Sequence, residues 1–181
     1  MFVRTQRLTL RPGWPEDAPA LARAIDHEAV VRNLSRAPWP YSIEAAETFL
    51  QHWTDTRFLV FEHQGGTVAL IGCIGIDSVR GEAHELGYWF TPSAWGKGYA
   101  TEAGRGALGA AQAAGIRRVT AGHYVDNPAS GRVLRKLGFR PTGAVEPIWS
   151  KGRGCEVPCV RLELEMHAEG VQPIPRLAAA A

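Results

Sequence analysis

Apolar and polar positions along the chain follow a strand-like alternation in some stretches and a helical repeat in others. Arg4–Arg11 alternates, with Leu8 and Leu10 on one face, and predicts a first strand. Pro15-Glu16-Asp17 then opens a helix through Ile25. Proline loses no hydrogen bond in a first turn, and carboxylates there meet the positive end of the helix dipole. Ser42 is placed to cap a second helix from Ile43 to about Trp53. Between the two, Pro38-Trp39-Pro40-Tyr41 cannot be helical throughout and predicts a shaped loop. Phe58–His63 and Val68–Val79 flank Gly65-Gly66 and predict a hairpin, and His84–Phe90 predicts the next strand.

A long helix is predicted from Gly98 to Ala114. Ala100, Ala103, Ala107, Ala111 and Ala114 mark one small-residue stripe on it, and Gly115 is placed to end it. Gly104, Gly106 and Gly109 each weaken an isolated helix by ~1 kcal/mol relative to alanine, so close packing on a sheet is the simplest compensation. Val119–Tyr124 predicts a further strand, and Pro128 to Leu137 a short helix ended by Gly138. Arg140–Pro147 and Val160–Met166 close the set of strands. Proline, glycine and the terminal alanines after Glu169 predict a flexible tail over 169–181, following one domain over 1–168.

A length of 181 residues fits one domain with a sizeable core. The formal net charge is only +2, so no polyanion-binding surface is implied and no nucleic-acid partner is expected. No apolar run approaches the ~18 residues of a membrane span. Met1-Phe2-Val3-Arg4 leads directly into a strand, so no signal peptide is evident. Three cysteines, Cys73, Cys155 and Cys159, suggest no disulfide framework and fit a reducing cytoplasm. Cys155 and Cys159 have no second Cys/His pair nearby at a zinc spacing, so no metal is expected. Cys73 is most simply a small buried residue, and no histidine is tied to it by local sequence as a nucleophilic pair would need.

The stretch carrying the most chemistry is Trp95-Gly96-Lys97-Gly98-Tyr99-Ala100-Thr101-Glu102. It follows a strand and opens the long helix. Glycines there let the backbone approach a ligand, while first-turn N–H groups lack intrahelical partners and sit at the positive end of the dipole. That arrangement predicts a phosphate-bearing cofactor held on backbone amides. The nucleotide P-loop pattern is missing from the chain, and no G-x-G-x-x-G stands where the Rossmann fingerprint needs it, directly after a strand near the start of a βαβ unit.

The turn resembles motif A of the GCN5-related N-acetyltransferases, the GNAT superfamily, written [Q/R]-x-x-G-x-[G/A]. Gly98 and Ala100 occupy its last two fixed positions, and Trp95 stands where Gln or Arg is usual. That departure removes one polar contact and leaves the backbone cradle. Asp126-Asn127-Pro128-Ala129-Ser130-Gly131 and Lys136-Leu137-Gly138-Phe139 resemble the N-x-x-S … K-x-G-F segment of the ribosomal-protein N-terminal acetyltransferase branch, the RimJ/RimL type. Arg4–Arg11 and Glu85-Leu86-Gly87-Tyr88-Trp89 resemble that branch's opening and central strands. The likeness spans roughly Arg4 to His167. It implies an α/β (α+β) single-domain acetyltransferase fold, a mixed central sheet with helices on both faces.

The resemblance also implies acetyl-CoA in a cleft between the Glu85 strand and the Val119 strand. Its pyrophosphate would rest on Gly96, Lys97, Gly98, Tyr99, Ala100 and Thr101 beside Trp95, with the Phe90 N–H polarising the acetyl carbonyl. Asn127 would bond the pantetheine arm and also cap the short helix. If Leu86, Tyr88 and Phe90 share one strand face, Glu85, Gly87 and Trp89 share the other. Glu85 is then the candidate base, or the partner of an arginine in an ion pair, and His84 is a rival base on the opposite face. Ser130 is the candidate donor to the departing thiolate, because Leu134 stands where many relatives have a tyrosine acid, or else a first-turn serine bonding the backbone. Lys97, Arg132, Arg135 and Lys136 are placed to assist phosphates or to be solvated surface charges. Trp39, Tyr41, Trp89 and Trp149 are candidate walls of the acceptor pocket, or ordinary packing residues. The acceptor expected from the branch is a protein N-terminal α-amine. A small amine (polyamine, amino acid or antibiotic) is the alternative enzyme reading, and a non-catalytic acyl-CoA sensor is the alternative outside catalysis. Either a monomer or a homodimer fits.

Overall fold

The computed structural model describes residues 1–64, 67–79 and 83–166, and among these residues eight strands form one sheet. In chain order the elements are β1 (Val3–Arg4), β2 (Leu8–Arg11), α1 (Ala18–Ile25), α2 (Glu28–Val31), α3 (Ile43–Gln51), β3 (Arg57–Gln64) and β4 (Thr67–Val79). They continue as β5 (Ala83–Phe90), α4 (Tyr99–Ala113), β6 (Arg118–Tyr124), α5 (Pro128–Lys136), β7 (Arg140–Ser150) and β8 (Cys155–Glu165). The sheet order is β1-β2-β3-β4-β5-β6-β8-β7. Every neighbouring pair is antiparallel except β5–β6. The Gly65-Gly66 turn, the domain limit expected at residue 168 and the tail 169–181 lie outside the described residues.

Two apolar layers cover the sheet. On one face Leu8, Leu10, Phe58, Ile74, Ile76 and Leu86 pack with Ala103, Ala107 and Ala111 of α4 and Leu134 of α5. On the other, Leu59, Cys73 and Trp89 pack with Leu21 and Ile25 of α1, Val31 of α2 and Leu50 of α3. Helices therefore lie on both faces of a mixed sheet, as expected.

The expected first strand is divided. Thr5 turns the chain, its N–H donating to the Leu8 carbonyl at 2.9 Å and its Oγ1 accepting from Leu8 N–H at 3.1 Å, so that Val3 pairs back on Leu10. The helix expected from Pro15 begins as a 3-10 turn over Pro15–Asp17, and α1 starts at Ala18 with Pro19 in its first turn. The four-residue α2 is too short to leave a periodic signal. Strand β7 runs on to Ser150, and β8 starts at Cys155. Pro147 and Pro158 read as breakers, yet they face each other across the two strands. The Pro158 carbonyl accepts from Val125 on the far side, so this pair needs no ladder bond between them.

The alanine stripe of α4 is buried at Ala103, Ala107 and Ala111 but exposed at Ala114, beyond the helix. Close approach accounts for two of the three helix glycines. A Cβ at Gly104 would lie 2.5 Å from Leu137 Cδ1, and one at Gly106 would lie 3.1 Å from Val3 Cγ1. Gly109 has nothing within 4 Å, so packing does not explain it. Gly104→Ala gains about 1 kcal/mol of helix propensity but forces α4 and α5 apart, an overpacking cost of about 1–3 kcal/mol. Its melting temperature is expected to fall, whereas Gly109→Ala should raise it.

Candidate active site

Where β5 meets β6, pairing is brief. The register runs from His84–Val119 to Leu86–Ala121 and stops, although both strands continue. A gap therefore opens between Gly87–Phe90 and Gly122–Tyr124. These are the carboxyl ends of the sheet's only parallel pair among the described residues, the place where open sheets with helical crossovers hold ligands. The Thr91 N–H donates to the Ile71 carbonyl at 2.8 Å, which makes Phe90–Gly72 a non-hydrogen-bonded pair. By alternation, the backbone N–H and C=O groups of Tyr88 and Phe90 point away from β4 and into the gap. The Phe90 carbonyl accepts from Trp95 Nε1 at 2.8 Å, and its N–H faces the opening.

The chain leaves β5 through a 3-10 turn at Pro92–Ala94 and enters α4 at the same end of the gap. Gly96 (φ 75°) and Gly98 (φ 82°) take left-handed conformations that side chains resist. Gly98 is the N-cap, and no side chain caps the first turn. The N–H groups of Tyr99, Ala100 and Thr101 are thus free to meet an anion.

A clasp fixes this turn from behind. Glu102 accepts from Thr5 Oγ1 at 2.7 Å, from the Arg7 backbone N–H at 2.8 Å and from Arg7 Nε at 2.8 Å. Arg7 also donates to the Lys97 carbonyl at 3.0 Å and lies over the Tyr99 ring. Burial would raise the Glu102 carboxyl, but these hydrogen bonds and the guanidinium outweigh it and hold it below the usual carboxylate value. A depressed carboxyl stabilises the fold above its unfolded pKa of ~4.3, and that contribution is lost as pH falls through the folded value. Glu102→Gln is expected to lower the melting temperature at neutral pH and to flatten its decline in acid. Melting temperatures of both proteins across the acid range check this.

The gap is the throat of a cleft of about 520 Å³ that passes through the sheet. On one side it is lined by Ser130, Val133 and the α4 turn, on the other by Val30, Asn33 and Leu34. A smaller side pocket of about 140 Å³ continues from it, bounded by Ser35, Tyr124, Ile148, Cys159 and Arg161. Asn33, Ser35, Glu85, Gly122 and His123 line both cavities.

Among the expected site residues, Glu85, Phe90, Trp95, Gly96, Gly98, Tyr99, Ala100, Thr101, Asn127 and Ser130 come together along the cleft. Glu85 is also paired: Arg161 donates to its Oε1 at 2.8 Å. Asn127 Oδ1 accepts from Ser130 N–H at 3.3 Å and caps α5. Arg132 and Lys136 border the cleft, whereas Lys97 and Arg135 are not among its lining residues. Lys97 Nζ lies 5.9 Å from the Tyr99 ring centre. His84 sits at the closed end of the β5–β6 pair, outside the lining residues, which removes the geometry for a rival base.

The aromatic walls are a correction. Tyr41 is buried in the layer over α1 and α3, its N–H on Asp26 Oδ1 and its hydroxyl on the Ala45 carbonyl. Trp39, preceding a cis Pro40, is 41% exposed and lines neither cavity. Trp149 is 58% exposed on the edge strand β7, opposite Glu156 and also away from both cavities. Aromatic residues on loops and edges suggested a pocket, but these three serve packing or face solvent. Trp89 is the tryptophan that both packs beneath the cleft and lines it.

Among the lining residues that no local sequence pattern marks are Tyr88, Arg161 and His123. Tyr88 was read only as a neighbour in the alternation of Leu86 and Phe90, yet its hydroxyl lies 2.8 Å from Ser130 Oγ. Arg161 falls in a strand that alternation alone marked. His123 Nδ1 lies 2.9 Å from the Tyr124 carbonyl, which only accepts, so Nδ1 carries a hydrogen. Burial pushes the Tyr88 phenol up to about 12 against a smaller opposing effect of its Ser130 hydrogen bond. Burial likewise pushes the Cys73 thiol up to about 12, so it stays a thiol and offers no nucleophile.

A splayed mixed sheet with a glycine turn and a bare helix start at the splay defines a protein built to hold an extended phosphate-bearing ligand across its sheet. Residues 7–140 match the Acetyltransferase (GNAT) domain, and the chain belongs to that family. It is 30% identical over 152 residues to the uncharacterized N-acetyltransferase YoaA of Bacillus subtilis (strain 168), an alignment covering 80% of this chain and 85% of that protein. The fold resembles that of a GNAT-family acetyltransferase from Bacillus anthracis, with TM-score 0.78 and 23% identity over 91% of this chain and 98% of that one. It also resembles RimL, a ribosomal L7/L12 alpha-N-protein acetyltransferase in complex with coenzyme A, with TM-score 0.74 and 20% identity over 92% and 98% of the two chains. No helix among the described residues is long and apolar enough to cross a membrane, and no group of three potential metal ligands occurs among them.

Proposed function

We propose that the chain transfers an acetyl group from acetyl-CoA to a protein N-terminal α-amine, a ribosomal protein being the favoured acceptor, in the cytoplasm. The observation that carries this reading is the continuity of the two cavities at Glu85, Gly122 and His123. A donor entering from the α4 turn and an amine entering from the side pocket meet there, on either side of one throat. The pyrophosphate rests on the amides from Gly96 to Thr101, Asn127 meets the pantetheine arm, and the Phe90 N–H stabilises the carbonyl oxygen as it gains charge. Glu85 takes the proton of the attacking amine, directly or through water. A free α-amine has pKa ~7.7–8.0, so the base need not be strong.

Transfer is direct, since burial raises the thiols of both Cys73 and Cys159, the cysteine on the side pocket, and neither is a ready acyl carrier. The charges along the cleft disfavour a polyamine acceptor. Glu85 is paired with Arg161, Asp77 with Arg57, and Arg36 and Arg132 add positive charge. The likeness in fold to RimL supports the peptide acceptor. The test is CoA release from acetyl-CoA against short peptides of varied N-terminal residue and against polyamines, amino acids and aminoglycosides. Turnover of peptides alone, lost when their N-termini are blocked, is the expected result. Turnover confined to small amines moves the protein to that class, and binding of acetyl-CoA without turnover makes it a sensor.

A further inference from the structure

Tyr88 projects from β5 on the same face as Leu86 and Phe90 and reaches the first turn of α5. Its hydroxyl lies 2.8 Å from Ser130 Oγ and 3.3 Å from the Ser130 carbonyl oxygen. A carbonyl only accepts, so the single phenol hydrogen has two destinations on one residue. With that hydrogen on the carbonyl, the serine hydrogen points at the phenol oxygen. With it on Ser130 Oγ, the serine hydrogen is released into the cleft that both residues line.

No other phenol serves this place. Leu134, one turn further along α5, is buried in the core. Tyr99 also lines the cleft, but its hydroxyl is bonded to Glu62. Tyr124 lies on the side pocket beneath Arg153. Burial keeps the Tyr88 phenol protonated, so it remains a donor at every working pH.

We propose that Tyr88 is a positioning residue that turns the Ser130 hydroxyl toward the sulfur leaving the acetyl donor. The inference rests on the acyl-transfer reading above. As the amine nitrogen bonds to the acetyl carbon, its proton goes to the Glu85 carboxylate. The carbon–sulfur bond then breaks with its electron pair on sulfur. A thiol has pKa ~8.5, far below a hydroxyl, so the thiolate takes a hydrogen bond from Ser130 and later a proton from water. As charge grows on sulfur, the serine hydrogen turns to it and the phenol hydrogen passes from the carbonyl to Ser130 Oγ. Each bond in such a chain polarises the next, and the one to the thiolate is charge-assisted.

The experiment compares Tyr88→Phe, Ser130→Ala and the double variant in acetyl-CoA turnover, with an amine that wild type accepts. Tyr88→Phe is expected to lower kcat about tenfold and leave KM for acetyl-CoA within about twofold, the pattern of an interaction made only in the transition state. The double variant should be no slower than Ser130→Ala alone, because the phenol acts only through the serine. An unchanged kcat in Tyr88→Phe, or losses that multiply in the double variant, overturns the proposal. A second measurement needs no change at Tyr88. The Ser130→Ala deficit should shrink when the donor is an acetyl thioester of a more acidic thiol, and an undiminished deficit overturns the proposal as well. Absence of turnover by wild type with every amine overturns the acyl-transfer reading itself, whereas turnover indifferent to Tyr88→Phe overturns the positioning role alone.

Discussion

Glu85→Gln is expected to lower kcat by about a hundredfold or more, the usual loss of a general base, while CoA binds as before. The substitution keeps the shape of the side chain and one acceptor oxygen for Arg161. It removes the charge and the capacity to take a proton at the junction of the two cavities. A structural loss should be small, because Arg161 is partly exposed and has Glu146 at 3.8 Å as a second partner. The pH dependence separates two versions of the role. If Glu85 strips an ammonium before attack, the deficit shrinks once pH passes the α-amine value of ~7.7–8.0, where the amine arrives neutral. If Glu85 takes the proton as the new bond forms, the deficit persists in alkali. Rates of both proteins from about pH 6 to about pH 9.5 decide between them. No loss at any pH would reduce Glu85 to the counter-ion of Arg161.

Gly98→Val is expected to weaken CoA binding by about a hundredfold. Gly98 holds φ at 82°, and a β-branched residue there costs about 1–2 kcal/mol or moves the turn. Clearance alone is not the obstacle, since a Cβ would have only Arg7 Nη2 within 4 Å, at 3.6 Å. The loss comes from tilting the first N–H groups of α4 off the phosphate and from lining its approach with methyl groups. Calorimetric titration with CoA measures it. Gly109→Ala, in open space on the same helix, is the control and should leave affinity unchanged. Equal affinity in Gly98→Val would remove the turn from the binding site.

Most of the fold was legible because its long elements obey simple periodicities. The glycine turn was legible for a related reason: left-handed glycines before an amphipathic helix have few other uses. What escaped was set by pairing between distant segments. Thr5 breaks the first strand through contacts with Leu8 and Glu102, and nothing local to Arg4–Arg11 announces Glu102. The two prolines that hid the length of the last hairpin become harmless only once they face each other. At the candidate site, the residues proposed for the donor lie in contiguous motifs, and the structure gathers most of them along the cleft. Residues of the side pocket proposed for the acceptor come from the loop after α2, from β7 and from β8, each contributing one or two side chains. Arg161 meets Glu85 across 76 positions of sequence, a contact that only the sheet order creates. Tyr88 was hidden differently, because a tyrosine alternating with Leu86 and Phe90 looks like core until α5 brings Ser130 to it.

The segment after α2 that lines the far side of the cleft is fastened to the turn between β7 and β8. Lys151 N–H donates to the Ser35 carbonyl, Ser150 Oγ to the Leu34 carbonyl and Arg153 Nε to the Arg32 carbonyl, while Gly152 sits against Val31. These bonds run from the β7–β8 turn to the backbone that follows α2, and none involves the glycine turn, Asn127 or Ser130. All three are made to main-chain carbonyls, which any residue supplies. Side chains at Asn33, Ser35 and Arg36 can therefore be exchanged by evolution without unfastening the rim or disturbing the donor half. Descendants of one ancestral fold can in this way acquire new amine acceptors while the acetyl donor stays the same.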